Sequence, residues 1–264
     1  MPELRTVALF GGIYSNHLAL AAAIKDAQRR GVDAIYCLGD LGAFGPHPDK
    51  VFPLLREYNI PCVRGNYDDS LGNELEDCQC GYTDPRDNYF AQISYEYTLA
   101  NTSQPNRNWL GNLPGEIRLQ LGSARVLLCH GSPRKANEFL WESTTSTQFL
   151  EHLADEHQAD ILCATHTGVK WQRDLSRGRK FVNVGVLGRP ENDGRLNVWY
   201  TLLTDNENRS VTVEFVPVTY DHERLAAEMR GERLPDEFIA TILTGWWTTC
   251  LEILPAKERR RGKY

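Results

Sequence analysis

Gly39-Asp40-Leu41-Gly42 closes an apolar run over residues 34–38, and the reading of the whole chain turns on it. Three other short stretches end β-like runs in the same way. They are Gly65-Asn66-Tyr67-Asp68 after 60–63, Cys129-His130-Gly131 after 125–128, and Ala164-Thr165-His166-Thr167-Gly168 after 161–163. In open α/β sheets, ligands bind beyond the carboxyl ends of the strands. Four such ends would bring Asp40, Asn66, His130 and His166 to one crevice. Two oxygen and two imidazole donors make a transition-metal ligand set.

Outward from these stretches, strand and helix patterns alternate. Residues 7–10 read as a buried strand, and 17–30 as a helix with apolar positions at 18, 20, 21, 24 and 27. Asn16 suits the N-cap and Gly31 the stop. Residues 49–58 read as helix before the extended 60–63. This rhythm predicts an α/β domain with a largely parallel sheet. From 69 to 114 it gives way to a polar, aromatic-containing insertion, with helix expected over 88–100 and 106–113. A long excursion after a site-bearing loop shapes a substrate entrance.

Further on, 117–120 and 125–128 read as an antiparallel pair turning at Gly122-Ser123, and 147–157 as helix. Strand pattern dominates at 181–184, 196–203 and 211–218, with a hairpin turn expected at 206–208. Helices over 221–230 and 235–243 follow, with Asp221 as N-cap and Pro235 in a first turn. The expected organisation is a main domain over 1–220 and a C-terminal helical extension over 221–264 packed on it.

A formal net charge of −6 argues against a general nucleic-acid surface. The basic run at 257–263 reads as a solvated tail. The opening Met1-Pro2-Glu3-Leu4-Arg5 leads straight into a strand, so no leader is expected, and no apolar run nears the roughly 18–20 residues of a membrane span. The seven cysteines, several in expected core strands, read as reduced thiols of a cytoplasmic protein. Cys78-Gln79-Cys80 reads as a loop with unpaired thiols. Trp246-Trp247 are expected to pack on the domain or on a second subunit, and the C-terminal helices are a candidate homo-oligomer surface.

In order, Gly39-Asp40, Gly65-Asn66, His130-Gly131 and Thr165-His166-Thr167 resemble the motifs of the calcineurin-like metallophosphoesterases, small bacterial and archaeal phosphodiesterase-like branch. Gly45-Pro46-His47-Pro48, Asn183-Val184-Gly185 and Gly188-Arg189-Pro190 extend the match, which spans roughly residues 7–222. The resemblance implies a two-sheet β-sandwich flanked by helices and hydrolysis of a phosphate mono- or diester. It also implies Asp40, Asn66, His130 and His166 as ligands of Mn, Fe or Zn.

The departures fall together. Where the family's D-x-H and the second His of its G-H-x-H would stand, this chain has Gly12, Tyr14 and Gly168. In the family those three ligate one of two ions, so one ion rather than two is expected here, with Tyr14 filling the vacated space. His17 and His47 are the remaining candidates for replacement ligands. Paired ions activate water and clamp the phosphoryl group together, whereas a single ion retains only part of that clamp. Tyr67, at the position of a family His, is a candidate donor to a phosphoryl oxygen, and Asp68 a support for the ligand loops. Arg86 and Arg134 are candidates for contact with a small phosphorylated substrate. The alternative reading is a catalytically impaired relative that binds a phosphorylated ligand or a protein.

Overall fold

The computed structural model describes residues 3–206 and 210–260. Strand β1 (Thr6–Phe10) is followed by helix α1 (His17–Arg29), capped as expected by Asn16, whose Oδ1 accepts the Ala19 N–H at 3.0 Å. Strand β2 (Ala34–Cys37) and helix α2 (Val51–Glu57) come next, with a single 3₁₀ turn at Pro48–Lys50 ahead of α2. Residues 60–63 do not form a strand; they contribute one bridge, between Cys37 and Cys62.

The insertion is helical: α3 (Asn66–Asn73), α4 (Pro85–Asn101) and α5 (Gln104–Gly111). Then come β3 (Glu116–Leu121), β4 (Ala124–Cys129), α6 (Thr147–Glu156), β5 (Ile161–Ala164), β6 (Trp171–Asp174), β7 (Lys180–Asn183), β8 (Val198–Asp205) and β9 (Val211–Val218). Helices α7 (His222–Gly231), α8 (Asp236–Thr244) and α9 (Ala256–Arg260) complete the described chain. The hairpin turn expected at 206–208 and the end of the basic run extend into residues outside the described set.

The strands form two mixed sheets, ordered β2-β1-β8-β9 and β3-β4-β5-β7-β6. This corrects the expectation of a largely parallel sheet. β1–β2, β4–β5 and β5–β7 pair parallel, but β8 returns antiparallel on β1 and β6 antiparallel on β7. Side chains alternate across each strand, so each sheet serves two cores. Val7 and Leu9 of β1 meet Val126 and Leu128 of β4 between the sheets. Ala8 and Phe10 face the layer of α1 and α2, while Leu127 and Cys129 face α6. Each fully buried Leu, Val or Phe contributes about 1.5–3 kcal/mol, and together they fix the strand ends that carry the site.

Apolar residues of α7 and α8 (Leu225, Met229, Phe238 and Ile242) pack on Leu18, Phe44 and Phe90 of the same chain. The basic run is not a free tail where it is described: Glu258 of α9 is buried and accepts the Ser143 N–H at 2.8 Å. Pro235 is the N-cap of α8 rather than a first-turn residue. Cys78 and Cys80 form a disulfide, contrary to the unpaired thiols expected; with Gln79 at φ 51° the turn brings their Cα atoms to 5.2 Å. The other five cysteines are free and buried. Among the described residues no helix is long and apolar enough to cross a membrane.

Candidate metal centre

Because β4 and β5 are parallel neighbours, their carboxyl ends lie together; His130 is the first residue after β4 and His166 the second after β5. Asp40 arrives from β2 of the other sheet. The two sheets are joined at this end by His130, whose Nδ1–H donates to the Leu38 carbonyl at 2.6 Å. That bond places the lone pair of the neutral ring on Nε2. Nε2 lies 3.2 Å from Asp40 Oδ2 and 3.3 Å from His166 Nδ1. One donor atom from each of Asp40, His130 and His166 falls within 4.8 Å of the others, and all three residues are buried.

Asn66 begins α3. Its amide nitrogen donates to the Cys78 carbonyl at 2.8 Å, while Oδ1 is buried without a partner, as is Nε2 of His166. An unpaired buried acceptor beside a convergent carboxylate–imidazole set is the arrangement a cation satisfies. The residues fit a metal ion of mixed O/N preference.

Asp68 holds the ligand loops in place. Its Oδ2 accepts the N–H groups of Asp40 and Gly65, both at 2.8 Å, and Oδ1 that of Leu41 at 2.9 Å. Gly39 lets these loops touch: it sits at φ +91°, and a Cβ there would lie 2.5 Å from Gly65 N. Asp40 and His166 themselves adopt left-handed backbone, φ 55° and 66°, a strain that the surrounding bonds maintain.

Electrostatics divide the two imidazoles. Burial opposes charge on His130, but the Asp40 carboxylate and its hydrogen bond prevail and raise its pKa. Burial and then the neighbouring His130 depress His166 to about 3. Burial likewise resists ionisation of Asp40, but His130 outweighs it and keeps the carboxyl below its ordinary value.

A cleft of about 550 Å³ opens onto Asn66 and His130 and is also lined by Ser132, Arg134 and Lys135. Arg134 is therefore beside the site; Lys135 and Arg64, not singled out by motif, line the same cleft. Arg86 is elsewhere, donating to the Thr248 carbonyl at 3.1 Å and lying 4.9 Å over the Phe90 ring. Tyr67 is a further correction. Its side chain is buried, its hydroxyl is bonded to Ser94 at 2.8 Å, and its ring packs edge-on against Tyr95, so it turns toward α4 rather than the cleft. What Tyr67 gives the site is its backbone N–H, donated to Asp40 Oδ1 at 3.1 Å. His17 and His47 point to Glu228 of α7, at 3.5 and 3.8 Å, away from the centre.

Aromatic rings occupy the space beside Gly12 and Gly168. A Cβ on Gly12 would lie 2.5 Å from Tyr14 Cε1, and one on Gly168 2.7 Å from Trp247 Cη2. Burial and the Asp40 charge push the Tyr14 phenol well above its usual range, so it is neutral near pH 7. Trp247 is anchored by its indole N–H, which donates to the Pro190 carbonyl at 2.7 Å. Gly168 also has φ +76°. Gly168→Ala should therefore lower the unfolding free energy by about 1–3 kcal/mol in a urea titration. An unchanged midpoint would mean that Trp247 yields freely.

The family profile described as the calcineurin-like phosphoesterase superfamily domain matches residues 7–207. The chain belongs to the calcineurin-like phosphoesterase superfamily. An uncharacterized protein of Methanocaldococcus jannaschii is 25% identical over 246 residues, which cover 87% of this chain and 94% of that protein. A hypothetical protein of Pyrococcus horikoshii shares the fold, with a TM-score of 0.75 at 22% identity, covering 92% of this chain and 99% of that one. A metallophosphoesterase from Sphaerobacter thermophilus superposes with a TM-score of 0.68 at 25% identity, covering 92% and 100%. Calcineurin-like phosphoesterases use divalent metal ions, and the Asp40–His130–His166 group is this chain's candidate for holding one.

Proposed function

We propose that the protein hydrolyses a phosphate ester at a mononuclear centre formed by Asp40, Asn66, His130 and His166. The observation that carries this reading is the convergence of Asp40, His130 and His166 within 4.8 Å, with Asn66 Oδ1 unpaired. An ion held there supplies Lewis acidity toward a water and toward the phosphoryl oxygens. The chain's own residues do the rest. Leu38 and Asp68 fix the orientation of His130 and Asp40, so that little reorganisation is needed when charge develops. Arg134 and Lys135 line the cleft and favour an anionic substrate. The enclosing Phe139 ring, 4.2 Å from that of His166, limits water on that side.

The test is turnover by protein loaded with Mn, Fe or Zn, measured on aryl phosphate monoesters and diesters. Hydrolysis that disappears with chelator and returns with metal is expected; absence of turnover with every ion and both ester types contradicts the proposal. A second reading is favoured by the rings of Tyr14 and Trp247 beside Gly12 and Gly168: a non-hydrolytic module that binds phosphorylated ligands. It predicts ligand-dependent thermal stabilisation without turnover.

Metal loading should depend on pH. Ligation requires a neutral imidazole, and the His130 pKa is raised above the ordinary 6.5, so binding displaces a proton below that pKa. Affinity should rise with pH through the His130 titration and fall about tenfold per unit below it. Chelator-competition titrations across roughly pH 6 to 8 would detect this; flat affinity would contradict it.

A further inference from the structure

The loop closed by the Cys78–Cys80 disulfide lies against the candidate centre. Asn66 Nδ2 donates to the Cys78 carbonyl at 2.8 Å and lies 3.6 Å from Cys80 Sγ. A carbonyl oxygen only accepts, so the loop decides which end of the amide it holds. Nδ2 is turned to the loop, and Oδ1 is left as the buried end without a partner. The loop also reaches a second donor residue. Burial and then His130 depress the His166 pKa, and the Asp40 charge and the Cys80 backbone act against them. Gln79, exposed between the two cysteines, lines the cleft that opens onto Asn66 and His130, so the loop forms part of its wall.

The tip of this turn and its flanks are held differently. Gln79 N–H donates to Asp77 Oδ1, and the Gln79 carbonyl accepts from Asn137 Nδ2, both at 2.7 Å. Those bonds hold the tip whether or not the cysteines are joined. The flanks, which touch Asn66, are tied to each other by the disulfide. We propose that Cys78 and Cys80 are positioning residues for Asn66, and that the thiol–disulfide state of this pair sets the affinity of the centre for its ion. The inference rests on the reading of Asp40, Asn66, His130 and His166 as ligands, and not on hydrolysis. A small dithiol opens the bond by exchange: one thiolate attacks a cysteine sulfur, a mixed disulfide forms, and the second thiol closes the reagent's own disulfide. Two electrons and two protons pass to the protein, leaving two thiols. The flanks then move independently, and the Asn66 amide no longer presents Oδ1 in a fixed direction.

The test uses the full-length protein with Mn(II) as the probe, because thiolates favour softer ions. Chelator competition at one pH gives the affinity, after the dithiol has been removed under nitrogen. Alkylation with peptide mass mapping verifies the redox state: Cys78 and Cys80 should be protected before reduction and modified after it. Reduction should weaken Mn(II) binding about tenfold. Cys78→Ser combined with Cys80→Ser should bind as weakly as reduced wild type, with or without the dithiol. Asn66→Asp keeps an oxygen for the ion but has no N–H for the Cys78 carbonyl, so its affinity should not respond to reduction; Asn66→Ala serves in its place if that variant does not fold. General loosening of the site would weaken the Asn66 variant by the same factor as wild type, and that result would overturn the assignment. So would reduced wild type that binds within about twofold of the oxidised protein, or a Cys78 and Cys80 that never join. Each of these outcomes leaves the metal centre standing. Oxidised wild type that binds no Mn(II) would remove the reading of the centre as well as this inference.

Discussion

Asp40→Asn should abolish stoichiometric metal loading and reduce any ester hydrolysis by about 10²-fold or more, while the protein remains folded. Even outer contacts of a metal site cost about 10–100-fold in affinity or activity when removed, and Asp40 contributes the only carboxylate among the convergent donors. The substitution is chosen on backbone grounds. At φ 55°, Asp40 occupies a left-handed position that Asn tolerates, whereas Ala would add strain to the loss of the ligand. Asn also keeps an oxygen for the Tyr67 N–H. Asp40→Ala should lose metal and activity as well, with an added fall in stability. Equilibrium dialysis with Mn or Zn and a chelator-controlled esterase assay check both variants. Full turnover by either would show that this Asp is not a ligand.

The second large effect concerns a residue that touches no substrate. Asp68→Ala should lower the unfolding free energy by about 3–5 kcal/mol and disorganise the centre. The carboxylate accepts N–H groups of Asp40, Gly65 and Leu41, and Ala leaves all three without an acceptor. Each stranded buried donor costs about 1–3 kcal/mol, reduced where water enters. Burial and then the nearby Asp40 charge raise the Asp68 pKa to about 6, against the hydrogen bonds from Leu41 and Gly65 that favour its charged form. Asp68→Asn retains one oxygen and should lose less than Asp68→Ala. Urea unfolding, with metal affinity measured in parallel, tests this; an Asp68→Ala protein as stable as wild type would mean that the loops are held by other contacts.

Strand ends were legible because apolar runs stop abruptly at polar Gly-x stretches, and at those stretches Asp40, Asn66, His130 and His166 stand. Their meeting could be anticipated from the order of the motifs, since parallel β4 and β5 must end on the same side. Sheet pairing was not legible in that way. β8 reads as a strand in any sheet, and only tertiary packing places it antiparallel to β1. The four-residue β6 has one buried residue, Trp171, among polar neighbours, too short a pattern to register as a strand. Tyr67 was misjudged for a different reason. Motif position locates its backbone, but the direction of its side chain is decided by Ser94 and Tyr95, which lie 27 and 28 residues away in sequence. Arg189 gave no sign of its placement either, because its neighbours Trp247 and Gly168 come from two other segments.

The filled space around Gly12 and Gly168 gives the centre its particular character. Beside the convergent donors Asp40, His130 and His166 stand the rings of Tyr14 and Trp247, packed against Gly12 and Gly168. The number of ions is therefore the quantity on which the account stands. It is measured by elemental mass spectrometry of chelator-free protein loaded with Mn, Fe or Zn, together with an anomalous-difference map of the crystal. One ion per chain, surrounded by Asp40, Asn66, His130 and His166, is the predicted result; two ions, or none after loading, would contradict it.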